Sequence, residues 1–439
     1  MLHTNRVRSS WRTTIFGACM AVFMGSAGAQ TVPVDVASGA ASGQAWSAAW
    51  QAPQGDAFLS VSAQKSTLRQ ILTTHAAGTQ VRLRLSNLYG SKPVRIGAGS
   101  IGVSAGGAEI AGAGPVALRF GGHTGVELAP GESRYSDPVA LPVQAMQRLA
   151  VSLYIPDSAL SMSRHFNGNE LIWTARGDAS AQAAAQGFSR NSNLLLASHV
   201  LIDRLDVIPA DASPRRVVAM FGDSITDGFM GSASGIPLLP GSEPIGRDLR
   251  FPDFLQRRAQ AEGVQATFVS AAISGNRLLS GPVLPMFGPA GQSRLARDVT
   301  SLPGVTDAVV LLGINDLGFA LFPSVTGQNL ITSLSDVVQR LHAAHIRVTV
   351  GTLLPSRGAT FGLAHGSAAV DVARQAVNQW VRTSGVPDAV IDFDPCMQDP
   401  ARPSHLRPAY DSGDGLHPNG AGYAAMAACV NLSGFTAGL

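Results

Sequence analysis

Apolar side chains change their spacing near residue 210, and no other feature of the chain constrains its fold as strongly. Up to residue 204 they recur at every second position in short runs broken by Gly, Ser, Pro and Asn, as in Gln80-Val81-Arg82-Leu83-Arg84-Leu85-Ser86-Asn87-Leu88. A period of two places alternate side chains on opposite faces of a strand. Similar runs over 149–155 and 194–201, with turn signals at Tyr89-Gly90 and Pro130-Gly131, predict an all-β sandwich or jelly-roll domain over 30–205. From residue 216 onward the pattern alternates between apolar runs and helix-period segments. Strands are expected over 217–221, 266–271, 307–312, 347–353 and 389–393. Helices are expected near 253–262, 293–299, 328–344, 368–383 and from 419. Uninterrupted apolar strands such as Ala308-Val309-Val310-Leu311-Leu312 suit a parallel sheet covered on both faces. Residues 216–439 therefore predict an α/β domain, a three-layer, doubly wound and mostly parallel sheet. The polar stretch 206–215, with its two prolines, reads as a linker. A length of 439 residues accommodates two domains, and 45% hydrophobic against 14% charged residues excludes a disordered chain.

Residues 1–29 read as a signal peptide and not as part of the fold. Arg6, Arg8 and Arg12 precede an apolar run over 15–23, and Ala27-Gly28-Ala29 offers small residues for cleavage. The run is shorter than the roughly 20 residues a bilayer span needs, so the mature chain is expected to be secreted or periplasmic, with no integral membrane segment. Removing those three arginines, in a segment without Asp or Glu, leaves 29 basic against 29 acidic side chains. A neutral chain gives no reason to expect a nucleic-acid partner. Cys396 and Cys429 remain after cleavage, and in an oxidising compartment they either pair or stay as buried thiols. Neither has a zinc-ligand spacing, and no metal or cofactor is expected.

The chemically suggestive residues fall just beyond the carboxyl ends of the expected strands, where sites collect in open α/β sheets. Ser224 follows the first strand in Gly222-Asp223-Ser224-Ile225-Thr226-Asp227-Gly228. A serine at a strand-to-helix turn can face backbone N–H groups, with Gly222 permitting the turn and Asp223 bracing it. Alone, such a serine is equally a helix cap. Asp414-Gly415-Leu416-His417-Pro418 can supply a base: a carboxylate three residues before a histidine can bond Nδ1–H in a turn and leave Nε2 free for a serine. An isolated Asp-x-x-His is equally a cap or a metal-ligand pair. His405 reads as an exposed loop residue. Three donors, the N–H of Ser224, the N–H of Gly275 and the side-chain amide of Asn315, are candidates for an oxyanion hole, although Gly275 and Asn315 also satisfy plain turns. Asp223, Asp227 and Asp316 read as structural. The apolar loop 278–288, with Pro285-Met286-Phe287, and the Gly- and Pro-rich segment 230–247 are candidate pocket walls.

Four blocks in order, Phe221-Gly222-Asp223-Ser224-Ile225-Thr226-Asp227-Gly228, Ile273-Ser274-Gly275-Asn276-Arg277, Gly313-Ile314-Asn315-Asp316 and Asp414-Gly415-Leu416-His417-Pro418, resemble the GDSL or SGNH hydrolase superfamily over residues 216–432. The resemblance implies a catalytic Ser224, His417 as base, Asp414 as its orienting acid, and an oxyanion hole of Ser224, Gly275 and Asn315. Ala271-Ala272 stand where many relatives carry an Asn, a departure outside that set. The whole layout looks like a subgroup of secreted bacterial esterases that deacylate plant polysaccharide. The implied function is hydrolysis of short acyl esters, acetyl above all, on carbohydrate or aryl alcohols. Two other readings stand beside it. One is a lipase, lysophospholipase or thioesterase of the same superfamily. The other is a carbohydrate-binding protein with a vestigial hydrolase domain, in which Trp46, Trp50 and Trp173 would stack on sugar, unless they are core residues.

Overall fold

The computed structural model describes residues 45–56, 62–159, 161–191, 197–211, 215–231, 242–319 and 325–436. The expected signal peptide, residues 1–29, and most of the candidate wall 230–247 lie outside the described residues. The described residues form one compact unit.

The first half is β-rich and antiparallel. One sheet orders the strands Ser47–Gln51, Ile202–Ile208, Gln80–Ser86 and Ser133–Tyr135, and a second is built around Ser66–Thr74, Gln147–Ile155 and Ala98–Gly106. The alternation over 80–86 behaves as expected on one face. Val81, Leu83 and Leu85 are fully buried and share a core with Leu68, Leu149, Val151 and Leu153 of the other sheet. The polar face, however, is largely turned away from water. Arg82 pairs with Asp206 and Arg84 with Asp203, each at 2.8 Å, and neighbouring Arg204 donates to the Ser301 carbonyl of the second half at 3.0 Å. Trp50 is buried edge-on against His199, and Trp46 lies under the Arg82 guanidinium; both are packing residues. Trp173 is half-buried on the strand Trp173–Arg176.

The strand Ile202–Ile208 continues through the first three residues of the expected linker, because Asp206 and Val207 pair in register with Arg82 and Val81. Only 209–215 connects the halves, and 212–214 of it lies outside the described residues.

The second half holds a five-stranded parallel sheet, ordered Ala266–Ser270, Arg216–Gly222, Val305–Leu311, Arg347–Gly351, Ala389–Ile391. The first strand in sequence thus lies second in space, and its carboxyl end is the point where the winding reverses, the place where such sheets bind ligands. Val217 to Phe221 are all buried, as a strand covered on both faces requires. The helices Gly327–Ala343 and Ala368–Thr383 pack on one another, as do Phe251–Ala261 and Gly420–Cys429. Ser367 and Asn419 cap their helices by accepting from the N–H of Val370 and Gly422. Three expected elements are shorter or different. The segment 291–300 is a short α-turn running into a π-helix, the strand at 347 ends at Gly351, and 393–397 is helix.

The halves are joined by buried polar contacts. His75 faces the Phe268 carbonyl with Nδ1 at 2.6 Å and Asp253 with Nε2 at 3.0 Å. Gln51 donates to the Asp298 carbonyl at 3.0 Å, and the Ala48 N–H to the Pro303 carbonyl at 2.9 Å. Cys396 and Cys429 form a disulfide with Cα atoms 6.5 Å apart.

Candidate active site

Ser224 sits two residues past the end of the strand Arg216–Gly222. Asp223 braces the turn by accepting from the Ile225 N–H at 3.1 Å, as its position suggests. No helix begins there. Residues 224–228 form turns in which Asp227 N–H bonds the Asp223 carbonyl and Phe229 N–H the Ser224 carbonyl, so Ser224 caps no regular helix. The close approach of Thr226 makes Gly222 necessary, since a Cβ there would lie 2.5 Å from the Thr226 Cβ.

Asp414, His417 and Ser224 form an unbroken chain. Asp414 Oδ2 lies 2.6 Å from His417 Nδ1, and His417 Nε2 lies 2.9 Å from Ser224 Oγ. The other carboxylate oxygen of Asp414 accepts from the N–H groups of Leu416 and His417 at 2.9 and 2.8 Å. Burial pushes the Asp414 carboxyl upward, but the His417 charge and these hydrogen bonds outweigh it and hold the group below its usual range. An ionised Asp414 takes the Nδ1 proton as its donor and leaves the Nε2 lone pair facing the serine hydroxyl. The His417 ring is fully buried between Phe229 and Phe361, with centroids at 4.7 and 4.8 Å.

Gly275 stands opposite, at φ +77°, against the face of Phe287. Among the described residues, the N–H groups of Ser224 and Gly275 have no protein partner, and Ser224 is only 5% exposed. Buried backbone donors without a partner are rare, so this pair is left over for a ligand oxygen. Asn315 lies just behind. Its Nδ2 donates to the Asn276 carbonyl at 3.0 Å, and its Oδ1 accepts from His365 Nε2 at 3.1 Å. The second amide hydrogen has no partner among the described residues.

The structure adds two residues that the motifs do not contain, His365 and Arg294, and gives partners to the motif aspartates. His365 fixes which way the Asn315 amide points. Burial first, then the nearby His417 charge, pushes its pKa down to about 3, so it stays neutral and donates through Nε2. Arg294, fully buried, donates to the carbonyls of Gly222 and Ala271 and to Asn276 Oδ1 at 2.9, 2.7 and 2.9 Å, tying two strand ends to the glycine block. Asp227, read as structural, accepts from Ser274 N–H and Oγ at 3.1 and 2.8 Å and faces His165 of the β-rich half at 3.0 Å. Asp316 accepts from the N–H groups of Leu278 and Leu279, anchoring the loop beyond the glycine block. Burial pushes Asp316 up to about 6 and Asp223 up to about 7. His405 is half-buried on the strand Arg402–Leu406 and is not an exposed loop residue.

A cleft opens at Ser224, lined by Phe166, Phe229, Ser274, Gly275, Phe287, Phe361 and His417, with a volume of ≈ 10 Å³, about the space one water occupies. Phe287 of the candidate wall 278–288 is therefore in place.

The GDSL-like lipase/acylhydrolase family matches residues 220–425. No curated protein matches the chain. Among solved structures, a GDSL-like lipase from Bacteroides thetaiotaomicron is 18% identical, covering 50% of this chain and 89% of its own, with a TM-score of 0.35. The acetyl xylan esterase AlAXEase is 17% identical, covering 48% of this chain and 96% of its own, at 0.34. A carbohydrate esterase family 2 enzyme with a carbohydrate-binding domain, from Corynascus thermopiles, is 14% identical, covering 88% and 96%, at 0.38. Likenesses this slight carry neither fold nor substrate across. Through the family match, the chain carries a GDSL-like lipase/acylhydrolase domain over residues 220–425 and is a carboxylic ester hydrolase.

Proposed function

We propose that the protein is an exported esterase that removes short acyl groups, acetyl above all, from carbohydrate or aryl esters, with Ser224 as nucleophile, His417 as general base and Asp414 as its orienting acid. The observation that carries this reading is the continuous Asp414–His417–Ser224 chain facing two unpartnered backbone N–H groups. Ser224 Oγ attacks the ester carbonyl as His417 takes its proton. The oxyanion is held by the N–H groups of Ser224 and Gly275 and by the Asn315 amide. His417 then protonates the leaving alcohol. Water, activated by the same ring, releases the acid from Ser224. No step draws on a metal or organic cofactor.

The phenylalanine rings of Phe166, Phe229, Phe287 and Phe361 close around Ser224 and support a small apolar acyl group. The Cys396–Cys429 disulfide supports an oxidising, secreted or periplasmic location. The separate helix pairs support a three-layer α/β arrangement, and the shared core of the two antiparallel sheets supports a β-sandwich before it.

The test is p-nitrophenyl acetate hydrolysis by wild type and Ser224→Ala, with acetate release from acetylated xylan as the substrate arm. The variant is expected to lose about 10⁴–10⁶-fold in kcat. Equal rates sink the assignment. Faster release of long than of short acyl chains sinks the short-acyl reading and favours a lipase.

A further inference from the structure

The cleft has one wall that the hydrolase half does not supply. Phe166 belongs to the β-rich half, directly after the short strand Arg164–His165, yet it lines the cleft beside Ser224 and His417. It is 6% exposed and packs into the core of the hydrolase half, with Phe229, Phe287 and Phe361, apart from the core of its own half.

Its position is held from both sides. On its own side, Ser198 Oγ donates to the Phe166 carbonyl at 3.2 Å, and Gly168 N–H donates to the Ala197 carbonyl at 2.8 Å. Across the seam, the side chains of His165, Asn167 and Asn169 reach the turn that follows Ser224. His165 Nε2 faces Asp227 Oδ1 at 3.0 Å, and both side chains are no more than 1% exposed. Asn167 and Asn169 donate to the Asp227 carbonyl at 2.9 and 3.2 Å. Arg250 closes the arrangement by donating to the carbonyls of Asn167 and Gly168 at 3.1 and 2.8 Å. Asp227 is three residues from Ser224 and holds Ser274 next to Gly275, so the bonds that seat Phe166 also seat the turn it faces.

We propose that Phe166, supplied by the β-rich half, is a specificity-determining residue that sets the size of ester the cleft admits. The inference rests on the esterase reading above. A rigid ring pinned at a cleft this narrow limits what fits beside Ser224, whereas it donates and accepts no proton in the reaction. Trimming it therefore changes which esters are turned over without removing the chemistry.

The experiment measures kcat/KM of wild type, Phe166→Ala, Phe166→Leu and Phe166→Trp on p-nitrophenyl esters from acetate to octanoate and on acetates of ethyl, phenyl and naphthyl alcohols. Thermal melting of each variant is recorded alongside. In Phe166→Ala, the ratio for the larger to the smallest ester of one series is expected to rise about tenfold or more, the scale of discrimination that an apolar pocket wall provides. Phe166→Trp is expected to move the same ratio down, and Phe166→Leu to fall between. Where Phe166→Ala melts below the assay temperature, the Leu and Trp forms decide. Ratios unchanged in both series, in folded variants that still turn over p-nitrophenyl acetate, overturn the proposal. Loss of turnover in wild type, or turnover that survives Ser224→Ala, overturns the esterase reading instead and takes this one with it.

Discussion

Gly275→Ala tests whether the N–H facing Ser224 does catalytic work, because the structure makes its effect on geometry definite. A Cβ at Gly275 would lie 2.6 Å from Cδ2 of Phe287 and nearer still to Cγ and Cδ1. Phe287 has little room to retreat: it is 4% exposed and stacked on Phe319, with centroids 5.9 Å apart and planes at 19°. The backbone at φ +77° adds a cost of about 1–2 kcal/mol for a residue with a Cβ. Overpacking adds roughly 1–3 kcal/mol. The segment relieves both by shifting, and the Gly275 N–H moves with it. Losing one oxyanion donor costs about 2.7–4 kcal/mol in the transition state, or roughly 10²–10³ in kcat. The double variant Gly275→Ala/Phe287→Ala removes the clash and keeps the φ strain. Steady-state hydrolysis of p-nitrophenyl acetate and urea denaturation of wild type, Gly275→Ala, Phe287→Ala and the double variant give a double-mutant cycle. Expected are a kcat loss of about 10²-fold or more in Gly275→Ala and partial recovery in the double variant. Wild-type kcat in a folded Gly275→Ala protein refutes the reasoning, because it shows that the N–H is not needed.

Stability should respond to pH through Asp223. Its folded pKa of about 7 exceeds the ordinary value of 3.8, so between those values the folded chain holds a proton that the unfolded chain has lost. Stability contributed by this group therefore falls as pH rises from 4 to 7, by at most about 1.4 kcal/mol per unit. Denaturation of Asp223→Asn should show its advantage over wild type growing across that window and levelling above it; a constant difference contradicts the assignment. Asp414, with its folded pKa depressed, works the other way: its contribution is complete above pH 4 and is lost only as pH falls through the lower folded value. The disulfide spans 33 residues that include Asp414 and His417. Chain entropy over that loop is worth about 4 kcal/mol. Cys396→Ala/Cys429→Ala is expected to lose about 2–4 kcal/mol in urea denaturation, and unchanged stability counts against the cross-link.

What was legible in the sequence was local. The Asp414–His417 contact spans three residues and Gly415 permits its turn, so spacing alone could suggest it. The parallel strands announced themselves because a strand buried on both faces is apolar throughout. The unread parts depend on distance along the chain. His365 reaches Asn315 across 50 residues, His165 reaches Asp227 across 62, and Arg294 reaches Gly222 across 72. A lone histidine or arginine carries no mark of a partner so far away. Alternation misled in one respect. Arg82 and Arg84 occupy the polar positions of their strand, and period two cannot distinguish a face toward water from a face toward a buried layer of ion pairs. Nor does a Gly-Asp-Ser tripeptide by itself tell a helix cap from the run of turns that residues 224–228 form.

The seam itself has a consequence for anyone who would recombine this protein. Two histidines of the β-rich half, His75 and His165, each meet a buried aspartate of the other, Asp253 and Asp227, and face a backbone carbonyl with the second ring nitrogen. An isolated hydrolase half would carry Asp227 and Asp253 stripped of these counterparts, with one flank of the Ser224 turn open. Grafting a different module onto residue 216 therefore amounts to building a new protein. The halves are better swapped as a pair, or the graft placed beyond the far edge of the β-rich half, where no bond to Asp227 is at stake.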